Sequence, residues 1–306
     1  MNNKHLAPIC LFVYNRLSET KQTITSLQQI FLAKESDLFI FSDGAKTESA
    51  IEKVSSVRKF VKSLSGFKSI SIIESDVNKG LANSIISGVT NIIEQYGKVI
   101  VIEDDLLTSP NFLNFMNQGL DFYEEIPGII SVSGYNMKVR NIQNKDYPYD
   151  IFFAMRLASW GWATWKNRWS MIDWTLPDFI QFSKDKRQQR KFNQMGSDMC
   201  KMLKNQQMGL NDSWAIRFCY HQFMHKLYSV YPFISKVRNI GFSSDATHTR
   251  YKYNRFDVSL DSTNQIDFLF RKNVILNKQI LSDFRNTNSI QARLYSKFRF
   301  FLEQIL

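Results

Sequence analysis

Four apolar stretches separated by helix-forming segments fill the first third of the chain, and this alternation constrains the fold more than any other feature. Residues 7–14 (APICLFVY), 37–42 (DLFIFS), 69–75 and 98–103 (KVIVIE) read as strands. Helices are expected between them, from Ser18 to about Phe31, from about 50 to 64, and from Leu81 to about Gln95. A β-α-β-α-β-α-β order is the pattern of a parallel sheet with right-handed crossovers, so the expected class is α/β, a mostly parallel, Rossmann-like sheet flanked by helices. Val99–Ile102 is apolar on both faces, as a strand covered on both sides must be. Beyond about residue 150 the alternation gives way to basic and aromatic stretches, with the tryptophan-dense SWGWATWKNRW at 159–169. We expect a first half at 1–135, a second at 136–288 packed on the same sheet, and an amphipathic helix at 289–306.

The fourth strand ends in three consecutive carboxylates, Glu103, Asp104 and Asp105. Ser109 and Pro110 then read as an N-cap and a first helical residue, which places the acids between a strand end and a helix start. Open α/β sheets hold their ligands there. Adjacent carboxylates repel one another, burial sharpens the repulsion, and a hard divalent ion would offset it. Mg²⁺ or Mn²⁺ suits such a site because it needs only one or two protein ligands when a diphosphate and water supply the rest. The plainer alternative is a solvated acidic turn at the start of a helix. Other strand ends bring polar groups to the same edge: Tyr14-Asn15-Arg16, Ser42-Asp43-Gly44 and Asp76-Val77-Asn78-Lys79-Gly80. An arginine there can neutralise a diphosphate, an aspartate can accept the imide proton of a pyrimidine, and glycines permit close backbone approach.

With 306 residues, 44% of them hydrophobic, the chain can bury a substantial core. It contains no uninterrupted apolar run near the roughly 20 residues of a spanning helix, and MNNKHLAPIC lacks a signal-peptide core, so a cytoplasmic location is expected. Cys10, Cys200 and Cys219 are widely spaced and odd in number, which suits reduced core residues rather than a zinc site or a disulfide framework. A net charge of +11 favours an anionic partner: nucleic acid, a phosphorylated substrate or a lipid surface. Zinc-finger spacing, an RNA-binding aromatic motif and a heptad-linked basic region are all lacking, so no nucleic acid is expected.

Taken in order, PICLFVYNR, FSDG, NKGLANSI, VIEDDLLTSPNF, GWATWKNRW, NDSWAIR and PFISKVRNIGFSSDATHT resemble the GT-A glycosyltransferases, in particular bacterial polysaccharide enzymes akin to animal N-acetylglucosaminyltransferase I. These pieces span residues 8–249, and EDDL followed by P-x-F is the most specific of them. The resemblance implies a GT-A fold with an irregular acceptor half, and a metal-dependent, inverting transfer of a sugar from a nucleotide sugar, UDP favoured, to a glycan hydroxyl. It implies that the acceptor is lipid-linked, in capsule or O-antigen synthesis. By the same resemblance Arg16 and Asp43 hold the diphosphate and the base, Asn78 and Lys79 lie near the nucleotide, and Glu103 and Asp104 face ribose or donor sugar. Asp105 contacts the Mn²⁺ or Mg²⁺ ion, with His248 a weaker candidate for a metal or phosphate contact, and Asp212 is the catalytic base. Read from its neighbours alone, Asp212 is better explained as a helix N-cap, since Asn-Asp-Ser precedes an apolar stretch.

Trp160 and Trp162 suit a floor under donor and acceptor sugars, although Trp162, Trp165 and Trp169 also fall at helical spacing, which points to core. Residues 289–306 read as a helix with Ile290, Leu294, Phe298, Phe301 and Ile305 on one stripe beside Arg293, Lys297 and Arg299. That pattern fits a helix in an anionic membrane interface, on the inner face of the cytoplasmic membrane, or one docked on the core or on a second subunit. The competing readings are a sugar-phosphate nucleotidyltransferase, a basic nucleic-acid-binding protein and a non-catalytic nucleotide-sugar-binding relative. The first lacks its Gly-rich loop, since YNRLSET follows strand one.

Overall fold

A computed structural model describes residues 5–241 and 254–305. Its centre is an eight-stranded sheet. The strands β1 (Ile9–Val13), β2 (Asp37–Ser42), β3 (Ser69–Glu74) and β4 (Lys98–Glu103) run parallel, joined by α1 (Leu17–Gln28), α2 (Ile51–Val61) and α3 (Leu81–Tyr96). Each lies within a few residues of its sequence expectation. A short β5 (Leu106–Thr108) and helix α4 (Phe112–Tyr123) follow, then β6 (Ile129–Ser133), β7 (Ile151–Ala154) and β8 (Trp162–Trp165). The helices α5 (Lys166–Trp169), α6 (Phe179–Lys184), α7 (Lys186–Phe192), α8 (Met199–Gln207) and α9 (Trp214–Met224) lead to β9 (Tyr228–Pro232) and β10 (Val237–Asn239). Helices α10 (Lys278–Thr287) and α11 (Ile290–Ile305) come last.

β8 joins the parallel set antiparallel to β4, and β6, β9 and β7 extend the sheet from there, so strands from both halves of the chain share one core. Val99, Ile100, Val101 and Ile102 of β4 are wholly buried, as a strand flanked on both edges and both faces requires.

Three local expectations change. α4 begins at Phe112 rather than Pro110, because Leu106–Thr108 is drawn into a ladder with β10 and Ser109 Oγ donates to Asn111 Oδ1, which holds the intervening turn outside the helix. The tryptophans at 162, 165 and 169 do not lie on one helix, since the first two belong to β8. Ser213, not Asp212, caps α9: its Oγ accepts from Ile216 N. Cys10, Cys200 and Cys219 are free thiols, and two of them are buried.

Candidate active site

β1 continues to β2 on one side while β4 lies on its other side, so the gap between their carboxyl ends is the place where the strand order reverses. In open α/β sheets ligands bind in the crevice outside such a reversal. Arg16 follows β1 and Glu103-Asp104-Asp105 follows β4, so the topology alone brings them together. Arg16 Nη2 stands 2.6 Å from Asp104 Oδ1 and 2.9 Å from Asp105 Oδ2. Tyr14 N also donates to Asp104 Oδ2 at 3.2 Å, and the Tyr14 hydroxyl accepts from Lys46 N, which ties the β1 end to the loop after β2.

One guanidinium faces three carboxylates. Burial, reinforced by the charges of Asp105 and Asp104, pushes Glu103 up to about 8, and burial raises Asp104 to about 6 against the pull of Arg16. The Arg16 guanidinium is held firmly charged: burial alone would weaken it, but the two aspartates outweigh that. The site thus carries more negative charge than its own cation balances, and the donor set suits a hard divalent ion. Among the described residues no group of three or more His, Cys, Asp or Glu side chains is disposed to enclose a metal. A single protein carboxylate, with the remaining ligands taken from a diphosphate and water, is the mode that such a donor set permits.

β10 forms the lip of this crevice. It pairs antiparallel with β5, Ile240 N donates to Asp105 O at 2.8 Å, and Asn239 Nδ2 approaches Asp105 Oδ1 at 3.4 Å. Lys236, just before β10, is paired with buried Asp261, which also accepts from Asn111 Nδ2, so the lip is anchored to the start of α4. Gly241 closes over the pair beneath it: a Cβ there would overlap Asp105 Oδ2. Sequence reasoning did not single out Asn239 or Gly241, although both lie within the quoted PFISKVRNIGF segment. Their signal is the N-x-G spacing after a strand, which becomes meaningful only once β10 is known to lie on β5.

The second cluster gathers at the amino end of α3. Asp43 accepts from Asn78 Nδ2, Lys79 N, Gly80 N and Gly44 N, so both its oxygens are engaged by the chain itself. Gly44 is required for this closeness, since a Cβ on it would lie 2.5 Å from Val77 C. Asp212 is exposed and its Oδ2 accepts from Ala82 N at 3.3 Å. That same oxygen lies 3.0 Å from where a Gly80 Cβ would stand. Asp43, Asn78, Lys79 and Asp212 therefore share one helix terminus, whose amides favour negative charge.

Trp160 and Trp162 part company. Trp160 is half-buried, edge-on to Tyr135 and Phe256, and precedes Gly161, which packs against Val237 of β10. Trp162 is wholly buried, stacked between Trp214 at 4.7 Å and Trp169 at 5.7 Å, so it belongs to the core and has no face to offer a sugar. His248 lies outside the described residues.

No protein-family model and no curated protein matches the chain. Solved structures do. A mannosyltransferase from Pyrobaculum calidifontis, PcManGT, in complex with GDP-Man and Mn²⁺, is 12% identical, with a TM-score of 0.37 over 52% of this chain and 44% of that one. S. aureus TarS is 14% identical, with a TM-score of 0.30 over 47% of this chain and 24% of its own length. The chain spans less than half of these structures, and at such low similarity the chemistry must be argued from the site's own residues.

Proposed function

We propose that this chain is a GT-A type glycosyltransferase that moves a sugar, hexosyl or N-acetylhexosaminyl, from a nucleotide sugar, UDP favoured, to a glycan hydroxyl with inversion at the anomeric carbon. The observation that carries this reading is the meeting of Arg16 with Asp104 and Asp105 where the strand order reverses, beside a second cluster that holds Asp212. Together with the EDDL resemblance, it supplies an anionic metal site, a cation for a diphosphate and an exposed carboxylate at one sheet edge. Asp105 would hold Mn²⁺ or Mg²⁺, with Glu103 and Asp104 toward ribose and sugar. A bound divalent ion would neutralise the departing nucleoside diphosphate.

Asp212 would take the proton of the acceptor hydroxyl as its oxygen bonds the anomeric carbon and the bond to the diphosphate breaks. Arg16, released from the aspartates when a cation takes up their charge, would turn to the diphosphate. A lipid-linked acceptor in surface polysaccharide synthesis is the biological setting that this reading favours.

A thermal-shift panel of UDP, GDP, dTDP and CMP nucleotides with and without Mn²⁺ tests it, because a ligand that binds only the native state raises its stability. Stabilisation by one nucleotide, dependent on Mn²⁺ and lost in Asp105→Ala, is the expected result. No response to any nucleotide would overturn it.

A further inference from the structure

Helix α11 is docked the wrong way round for a helix that belongs to a soluble core. Its small and polar side faces the protein: Ser289, Ala292, Arg293 and Ser296 are partly buried, Arg293 Nη2 donates to Ser197 Oγ at 2.9 Å, and Arg255 Nη1 reaches Ser296 Oγ at 3.4 Å. Its apolar stripe faces outward, with Ile290 59%, Leu294 60%, Phe298 57% and Phe301 60% exposed. The preceding helix α10 shows the ordinary arrangement, with Ile280 and Phe284 turned into the core. An amphipathic helix normally buries its apolar stripe. Four large apolar residues in one outward row therefore call for a covering surface.

Charge selects what covers it. Lys297 is exposed on the same helix. Where α11 begins, the turn at 196–198 joins it to the end of the α7 segment: Ser197 N and Oγ both donate to Asn288 O, and Arg293 donates to Ser197. α7 presents Lys186, Arg187, Arg190 and Lys191 to solvent, and none of the four makes an ion pair among the described residues. Asp185, the nearest carboxylate in sequence, is spent on capping α7 through Arg187 N and Gln188 N. A second copy docked about a two-fold axis through this turn would bring the α7 cations of both copies together. An anionic surface meets them with the opposite sign.

We infer that α11 lies in the interface of an anionic bilayer, its Ile290-Leu294-Phe298-Phe301 row among the acyl chains and the α7 cations against the lipid head groups. Among the described residues no helix is long and apolar enough to cross a membrane, so the contact is one of lying on the surface. The inference does not depend on the chemistry proposed above.

Flotation of the full chain with phosphatidylcholine vesicles, with and without phosphatidylglycerol, tests it. The expected result is binding to the phosphatidylglycerol vesicles only, weakened by salt, and reduced by about tenfold or more in Leu294→Glu/Phe298→Glu and, separately, in Lys186→Glu/Arg187→Glu/Arg190→Glu. All five positions are exposed, so far-UV circular dichroism and the melting temperature should match those of the parent. Equal vesicle binding by either variant would overturn the inference, as would absence of binding to anionic vesicles. A dimer in solution that Leu294→Glu/Phe298→Glu dissociates, without any vesicle binding, would assign the face to a second copy instead. The nucleotide thermal shift, read on the same preparations, reports separately on the transferase reading.

Discussion

Gly241 lies so close to Asp105 that a Cβ on it would overlap the carboxylate and stand 3.0 Å from Arg16 Nη1. The lip strand thereby fixes where the Arg16–Asp105 pair can be. Gly241→Ala should move that pair sideways. Since the overlap is with side-chain ends at a partly open edge, the fold should lose only about 1–3 kcal/mol. Affinity for a nucleotide sugar in the presence of Mn²⁺ should fall by about tenfold or more, because phosphate and metal contacts depend strongly on placement. Calorimetric titration decides the point: unchanged affinity would show that Asp105 is not a donor contact.

Asp212 carries two separable roles, a cap on α3 and the proposed base. Asp212→Asn keeps an oxygen for Ala82 N and removes only the basicity. Turnover should fall by roughly 10²–10⁴ while donor affinity and melting temperature stay put. Asp212→Ala should lose the turnover as well and, in addition, about 1 kcal/mol of stability with the cap. Steady-state kinetics with a matched unfolding curve separates the two, and full turnover in Asp212→Asn would leave Asp212 as a cap alone.

Trp160 and Trp162 test what a shared motif means for two neighbours. Trp162→Ala empties the centre of a stack with Trp169 and Trp214 and should cost about 3–5 kcal/mol in urea unfolding. Trp160→Ala, at a half-buried position near the lip, should cost clearly less. If Trp160 touches a sugar, its replacement raises the KM for donor or acceptor without that loss of stability. A KM that does not move would remove Trp160 from the site.

How much of this was legible in the sequence depends on whether the cause is local. The parallel half was legible because apolar period and breakers are local signals: β2 and β4 fall on 37–42 and 98–103. From that order the polar strand ends, Arg16 and the acids after β4 among them, were expected at one edge of the sheet, but the adjacency of β1 and β4 that makes them meet is a property of the fold. Other features were hidden because their causes lie far along the chain. β5 exists only because Val237–Asn239 pairs with it, and that pairing displaced the start of α4. Helical spacing misplaced Trp162 because strand pairing with β4 and β6 outweighs a three-residue interval. Asp43 could not be foreseen as a clasp for the Asn78–Gly80 amides, since that requires two strand ends to be neighbours in space.

His221 gives a pH dependence that owes nothing to the site. It is buried in α9, its Nε2 has no hydrogen-bond partner among the described residues, and its ring lies 4.2 Å from that of His225. Burial, with His225 adding to it, pushes His221 down to about 4 from an ordinary value of 6.5. Between those values the unfolded chain takes up a proton there and the folded chain does not. Stability from this group is therefore complete above about pH 6.5 and is lost as the pH falls toward 4, by roughly 1–3 kcal/mol. His221→Gln, which has no proton to gain, should be less sensitive to pH across that window. Urea midpoints at pH 7 and pH 4.5 measure it: the parent should lose more than the variant, and parallel losses would mean that His221 is solvated and titrates like a surface histidine.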